Sequence, residues 1–320
     1  MRVAAVDLGT NSTRLLVADV IDGNVEEIAR RLTITRLGEG VDARRRLLPV
    51  PIARVRNCLA EYRGELESLG AERTLAVATS AVRDAENGDA FLGEIEWSYG
   101  FITRLLSGDE EAQLTFAGVT AARDGTDPIL VVDVGGGSTE LIVGARDRVE
   151  YHSSLDLGCV RMTERFLHSD PPGGRELDAC SAFTKELLAE RVPEAVRDRV
   201  DHAVGVAGTV TTLAALDLGL EAYDPDRVHG HRVSRAAVDK QLERLAAVPL
   251  EERRAIPGLE PERAPVIVAG VVIVREVLDH FGLDALEASE HDILDGAALE
   301  AARLPAPVEG DAPPGAYTCC

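Results

Sequence analysis

Hydrophobic positions in the first 35 residues cluster into three runs that predict strands at 2–8, 13–20 and 25–35, with "IDGN" as the turn between the last two. After the prolines at 49 and 51 the period changes. Ile52, Val55, Leu59, Tyr62, Leu66 and Leu69 recur at helical spacing, which predicts a helix over 52–69 stopped by Gly70. "TLAVATSAV" reads as a strand and about 110–122 as a helix. Past the turn-rich "DGTDP" at 124–128 the opening pattern restarts: strand 129–134, glycine turn, strand 139–143, turn, strand 148–155. The remainder predicts helices at about 176–190, 211–216, 234–247, 264–281 and 294–304, and a strand at 202–206. From Pro305 on, a Pro-rich tail (305–320) is expected to be disordered.

The restart is a repeat. Aligned without gaps, 6–19 and 132–145 share Val, Asp, Gly, Ser, Thr, Leu and Val, seven of fourteen positions. Two related α/β domains facing a cleft, at 1–124 and 125–304, are the economical reading, with the last helix free to pack back on the first lobe. The eighth position of the repeated turn differs in charge: "DLGTNSTR" ends in Arg14, "DVGGGSTE" in Glu140.

Composition narrows the possibilities. With 320 residues, 45% of them hydrophobic, the chain can bury a core in each of two domains. Its longest apolar run, 265–274, is too short to span a bilayer, and an N-terminus carrying Arg2 and Asp7 does not suit a secretory signal, so a cytoplasmic protein without a membrane partner is expected. The five cysteines show no C-x-x-C spacing, which disfavours a disulfide framework or zinc site. Cys319–Cys320 reads as an accident of the tail rather than a metal or redox handle. A net charge of −21 repels polyanions and speaks against specific nucleic-acid binding, so a phosphate ligand needs a local cationic site. Of the 34 basic residues only Lys185 and Lys240 are lysines. Arginine suits phosphate, but base composition explains the bias as well.

A strand ending in Asp followed by Gly-x-x-Ser turns several backbone N–H groups into one concavity, an anion seat. Here the turn leads into another strand, so it is neither a Rossmann turn nor a Walker A loop, both of which lead into helices. Gly9, Thr10, Asn11 and Ser12 form one candidate phosphate seat, and Gly135, Gly136, Gly137 and Ser138 the other. Asp7, Asp133 and Glu140 offer hard oxygens for Mg²⁺, directly or through water. A plain hairpin turn, or an Asp7 satisfied by its own turn amides, is the bland alternative.

"DLGTNSTRLLVAD", "TRLGEGVD", "VATSAVRDAENG", "LLSGDEEAQLTFAGV", "VDVGGGSTELIVG", "GVAGTVTTLAAL", "VHGHRVS" and "PERAPVIVAG" follow one another as in the exopolyphosphatase and guanosine pentaphosphate phosphohydrolase family, and the chain resembles that family over about 3–300. The family belongs to the actin, sugar-kinase and heat-shock-ATPase superfamily. The resemblance implies two ribonuclease H-like lobes and Mg²⁺-dependent release of terminal phosphate from inorganic polyphosphate or guanosine pentaphosphate. A homodimer is expected. The HD-type domains that longer members append are not among the matched motifs, so processivity that rests on them is not implied.

"SGDEEA" offers two glutamates for the base that in-line attack by water requires. With Ser107 as N-cap, Glu110 completes a capping box; Glu111, about 100° around the helix, has no such local use and matches the family's proposed base. The resemblance also places a functional carboxylate at Glu140 and a phosphate contact at Arg83, against the alternative of an Arg83 paired with Asp84 or Glu86. Arg14 is expected to grip anionic substrate. Arg36 and Arg263 are weaker candidates of the same kind, and Gly208 and Thr209 form a turn whose free N–H groups favour an anion, or a plain N-cap. His229 and His231 in "HGH" fall on one side of a possible strand without a third ligand nearby, which favours a loop or interface role over a metal. Two other classes remain open: an ATP-dependent kinase or chaperone-type ATPase, disfavoured by the glutamate pair, and a non-catalytic binding protein that holds ligand without releasing phosphate.

Overall fold

The computed structural model describes residues 1–121, 123, 125, 127–146 and 148–305; the predicted tail, with Cys319 and Cys320, falls beyond the described residues from 306 on. Two compact units are present, one of Met1–Arg123 together with the chain from Ile293, the other of Asp124–Asp292.

In the first unit β1 (Arg2–Leu8), β2 (Ser12–Ile21) and β3 (Asn24–Ile34) form an antiparallel meander, followed by α1 (Val41–Arg44) and α2 (Pro49–Ser68). Then come β4 (Arg73–Ala78), α3 (Ser80–Arg83), α4 (Gly88–Tyr99), β5 (Ile102–Leu105) and α5 (Gly108–Thr120). The sheet order is β3-β2-β1-β4-β5, with β1, β4 and β5 parallel. Successive side chains of a strand leave on opposite faces. Ala4, Val6, Leu8, Leu15 and Val17 meet Val55 and Leu59 of α2 and Ile95 of α4; Val3, Ala5, Leu16 and Ala18 meet Leu114 of α5 on the other side. Burial of both faces explains why these strands read as apolar runs rather than strict alternation.

Two predicted elements of the first unit shift. α2 begins at Pro49, three residues before the predicted start, because a proline in the first turn gives up an N–H that has no intrahelical acceptor there. "TLAVATSAV" is a strand only to Ala78; Arg83 N–H donates to Thr79 O (3.0 Å) and 80–83 form a helical turn.

The second unit opens with the same meander, β6 (Ile129–Val134), β7 (Thr139–Ala145) and β8 (Arg148–Leu155). It continues through α6 (Cys159–Phe166), α7 (Gly174–Arg191), α8 (Glu194–Arg197), β9 (Ala203–Val206), α9 (Ala207–Asp217), α10 (Pro225–Val228) and β10 (Arg232–Ser234). Next are α11 (Arg235–Ala246), α12 (Leu250–Arg254), α13 (Ile267–Phe281) and β11 (Ala285–Ala288). The sheet runs β10-β11-β9-β6-β7-β8. Stripped of the antiparallel edge strand β10, it repeats the order and directions of the first sheet. The fold is α/β, and apart from β10 each unit has the strand order and directions expected of a ribonuclease H-like lobe.

The last helix, α14 (Ile293–Arg303), falls by chain order inside the expected 125–304 lobe, yet belongs to the first unit. Ile293, Leu294, Ala297, Ala298 and Ala301 complete the face begun by Val3 and Ala5. A β-carbon on Gly296 would overlap the Leu114 carbonyl, so the crossing of α14 over α5 depends on glycine. Arg30 holds the buried Asp295 at 3.0 Å, and Arg104 meets Glu300 at 3.4 Å. Among the described residues no helix is long and apolar enough to cross a membrane.

Candidate active site

The repeated turns have the same backbone plan. Gly9 N–H donates to Ser12 O and Gly135 N–H to Ser138 O, each at 3.0 Å. The chain just past each meander then binds the turn's carbonyls. In the first unit, Arg36 N–H reaches Asn11 O (2.9 Å) and Gly38 N–H reaches Thr10 O (2.8 Å). In the second, the N–H groups of Cys159 and Val160 reach Gly135 O and Gly136 O (both 2.9 Å), and Arg161 Nε reaches Gly137 O (2.7 Å).

These bonds fix where the amides point. A trans peptide carries its C=O and the next N–H on opposite sides. With the carbonyls of 135, 136 and 137 drawn toward α6, the N–H groups of Gly136, Gly137 and Ser138 are turned to the other side together, the arrangement that receives an anion. The approach is close enough that a β-carbon on Gly158 would overlap the backbone of Gly136.

Charge distinguishes the two copies. Asp7 stands directly across from Arg14 in the β1–β2 ladder, and Asp133 directly across from Glu140 in β6–β7. Arg14 closes on Asp7 Oδ2 with Nε at 2.9 Å and Nη2 at 2.8 Å. In the second unit two buried acids face each other, Asp133 at 7% and Glu140 at 1% exposure. Like charges opposite one another across strands are destabilising, and burial sharpens the cost. Ser154, opposite Glu140 on β8, donates its hydroxyl to Glu140 Oε1 at 2.9 Å.

Within the first unit a second chain of contacts leads from the turn to α5. Thr10 Oγ1 and Ser80 Oγ lie 2.9 Å apart, which ties the turn to α3. At the far end of α3, Arg83 Nη1 donates to Leu106 O (2.8 Å) and to Glu111 Oε2 (3.1 Å). Arg83 is therefore an ion-pair partner of Glu111, and not of Asp84 or Glu86; Asp84 meets Arg45 at 4.0 Å. The two adjacent glutamates separate as their spacing implies. Glu110 makes the capping box with Ser107, whose backbone N–H holds the Glu110 carboxyl below the usual range. Glu111 is buried, at 6% exposure.

Behind the second turn, α9 begins earlier than predicted, at Ala207, so Gly208 and Thr209 lie in its first turn. A β-carbon on Gly208 would overlap the Arg263 guanidinium, which lies against the helix start, while Arg263 Nε donates to Glu260. Burial pushes the nearby Cys159 thiol up to about 11, which makes it inert near neutral pH.

The histidines of "HGH" do not share a strand face. His231 Nε2 meets Asp217 Oδ2 at 2.8 Å, whereas His229 lies edge-on to His291, ring centres 5.0 Å apart, and its Nδ1 accepts the Glu290 N–H at 3.3 Å. Gly230, left-handed at φ 76°, turns the chain between them, just ahead of the three-residue β10. Among the described residues no group of three or more His, Cys, Asp or Glu is placed to hold a metal.

Ser80, which stands inside "VATSAVRDAENG", Ser154 and Arg161 make contacts that the sequence reading does not single out. For Ser154 a signal exists, since Glu140 and Ser154 become partners once the β7–β8 hairpin is registered. For Arg161 none does.

The model of the Ppx/GppA phosphatase family matches residues 16–302. Exopolyphosphatase 2 of Mycobacterium tuberculosis is 41% identical over 94% of this chain and 98% of its own length. A guanosine-5'-triphosphate,3'-diphosphate pyrophosphatase of Vibrio vulnificus is 33% identical over 93% of this chain, which spans 58% of that longer protein. Among solved structures, the Aquifex aeolicus member of the Ppx/GppA family superposes with a TM-score of 0.80 at 34% identity, over 95% of this chain and 98% of that one. An exopolyphosphatase from Cytophaga hutchinsonii gives 0.85 at 25%, over 92% and 96%. Phosphatases of this family generally use a divalent metal. With a family match over 16–302, a relative 41% identical along nearly its whole length and the same fold in the Aquifex aeolicus member, the chain belongs to the Ppx/GppA phosphatase family.

Proposed function

We propose that this phosphatase is an exopolyphosphatase, which releases terminal orthophosphate from inorganic polyphosphate. The facing pair Asp133 and Glu140 is the observation that carries the reading. Two buried acids opposite each other suit a divalent cation, and Mg²⁺ commonly takes one or two carboxylates and completes its shell with water and substrate oxygens. Asp133 and Glu140 would hold it, with the Ser154 hydroxyl fixing Glu140 Oε1. When bound, Mg²⁺ draws charge from the phosphoryl oxygens. Asp7, with Oδ2 held by Arg14, is the third candidate carboxylate, directly or through water.

The chain's own groups do the rest. Amides of Gly136, Gly137 and Ser138 receive phosphate oxygens in the second unit, and those of Asn11 and Ser12 offer a like cradle within the first. By cancelling Asp7, Arg14 keeps the first cradle from repelling phosphate, which is how its grip on substrate is exerted. Arg83 fixes the Glu111 carboxylate. Glu111 takes the proton of the attacking water as its oxygen bonds the terminal phosphorus, and the anhydride P–O bond breaks with its electrons left on the shortened chain. Arg263, over Gly208, adds cationic charge beside the amides of Gly208 and Thr209. The cytoplasm as compartment and a homodimer as assembly go with this reading.

Guanosine pentaphosphate is the second substrate reading, favoured by the Vibrio relative. Phosphate release from polyphosphates of several lengths, guanosine pentaphosphate and ATP, each with and without Mg²⁺, decides between them. Glu111→Ala should reduce turnover about 10²- to 10⁴-fold with substrate still bound. Binding of polyphosphate with no release by the wild type would favour a non-catalytic protein.

A further inference from the structure

Arg253 is 4% exposed, on the five-residue helix α12, and touches none of the groups assigned above. Its guanidinium is spent on three backbone carbonyls: Nε to Leu245 O at 2.8 Å, Nη2 to Val248 O at 2.9 Å and Nη1 to Ala264 O at 3.2 Å. Asp170, the nearest acid, is 4.0 Å away, and its carboxylate oxygens accept the Leu250 N–H. Burial lowers the Arg253 pKa from its ordinary value, so the cation is held at a desolvation cost.

The acceptors show what is held. Leu245 and Val248 lie at the end of α11 and just past it, while Ala264 follows Arg263 in the loop that enters α13. Within that loop the Arg263 N–H donates to Glu260 O (2.9 Å), and the N–H groups of Val266 and Ile267 return to Arg263 O (both 3.0 Å). Farther back, Gly258, left-handed at φ 80°, approaches the Leu220 carbonyl too closely for a β-carbon. The loop is thus pinned at Gly258 and at Ala264, and Arg263, next to the second pin, is laid across Gly208 at the start of α9.

We infer that Arg253 is a positioning residue for the substrate site: by clamping the Ala264 carbonyl to the end of α11, it fixes the Arg263 guanidinium over the α9 N-terminus, where it meets substrate phosphate. A planar guanidinium presents donors in several fixed directions from one buried point, which a lysine ammonium does not reproduce. The inference rests on the reading of Arg263 as a phosphate contact and is tested so that the two separate.

The experiment compares Arg253→Met, Arg263→Gln and the double variant with wild type, measuring KM and kcat for a defined short polyphosphate at saturating Mg²⁺. The expected result is a KM raised about tenfold in each single variant with kcat within about threefold, and a double variant no worse than Arg263→Gln, since the two act through one contact. Multiplying effects, or an unchanged KM in Arg253→Met, would overturn the inference. Leu242→Ala, a core truncation on α11, controls for stability and should lower Tm without moving KM. Amide hydrogen exchange supplies the independent readout. The amides of Arg263, Val266 and Ile267 should lose protection in Arg253→Met while α7 keeps it, and unchanged protection would overturn the clamp. If KM is unmoved in Arg263→Gln, the phosphate-contact reading fails and the inference with it, whatever the exchange shows. Should Arg253→Met not fold, Arg253→Lys is measured in its place with the same expected results, and added guanidinium ion should partly restore KM in Arg253→Ala.

Discussion

The two hairpin turns share one hydrogen bond, Gly9 to Ser12 and Gly135 to Ser138, each 3.0 Å, and differ in the residue that faces the aspartate across the ladder. In the first unit that partner is Arg14, and the Asp7 charge is cancelled within the protein. In the second it is Glu140, and two buried acids stand opposite each other. The backbone plan is duplicated, while the side chain opposite the aspartate differs in charge between the copies. On the function proposed above, the second copy is the metal-binding turn and the first an anion seat.

The sharpest way to break this contrast is to exchange the charges. Glu140→Arg should give Asp133 a cross-strand cation, reduce phosphate release roughly 10²-fold or more, and remove the rise in Tm on adding Mg²⁺. Arg14→Glu should leave two acids facing each other in the first unit, at a stability cost of about 3–5 kcal/mol by denaturant unfolding, because Asp7 and Arg14 are both largely buried. An Arg14→Glu protein with wild-type stability and activity would show that the asymmetry carries no function.

Ser154→Ala tests the contrast more gently. Removal of one hydroxyl from Glu140 should lower kcat several-fold and weaken the Mg²⁺ response, with a stability loss of about 1 kcal/mol. An unchanged Mg²⁺ titration would count against Glu140 as a metal ligand.

The smallest effect separates the neighbouring glutamates. Glu110→Ala should cost about 0.5–1 kcal/mol at neutral pH, since the cap is solvent-exposed, and leave turnover intact. The Ser107 N–H depresses the Glu110 pKa in the folded state, so the cap's stabilisation is present above the unfolded value of about 4.3 and is lost as pH falls through the lower folded value. The stability gap between wild type and Glu110→Ala should close below about pH 4 in an acid titration followed by circular dichroism.

Local features of the fold were legible where one segment decides its own state. The runs of β1 to β3 and β6 to β8, and the Ser-x-x-Glu spacing that frees Glu111 from capping, are of this kind. β11 was not readable: "ALEA" has little strand preference, and pairing with β9 makes it a strand. The Arg83–Glu111 pair joins residues 28 apart through α3 and α5, which no spacing rule reaches. The histidines of "HGH" parted because a left-handed glycine stands between them.

The placement of α14 has a consequence for synthesis. The first unit starts at Met1 but lacks one cover of its sheet until residues 293–303 exist, 170 positions after Arg123. At roughly 5–20 residues per second, a ribosome takes about 8–35 s to cross that interval. Throughout it Val3, Ala5, Leu16, Ala18, Leu75 and Val77 wait for Ile293, Leu294 and Ala297. The second unit, contiguous in the chain, can close its core first, so the domain translated earlier is the one completed last.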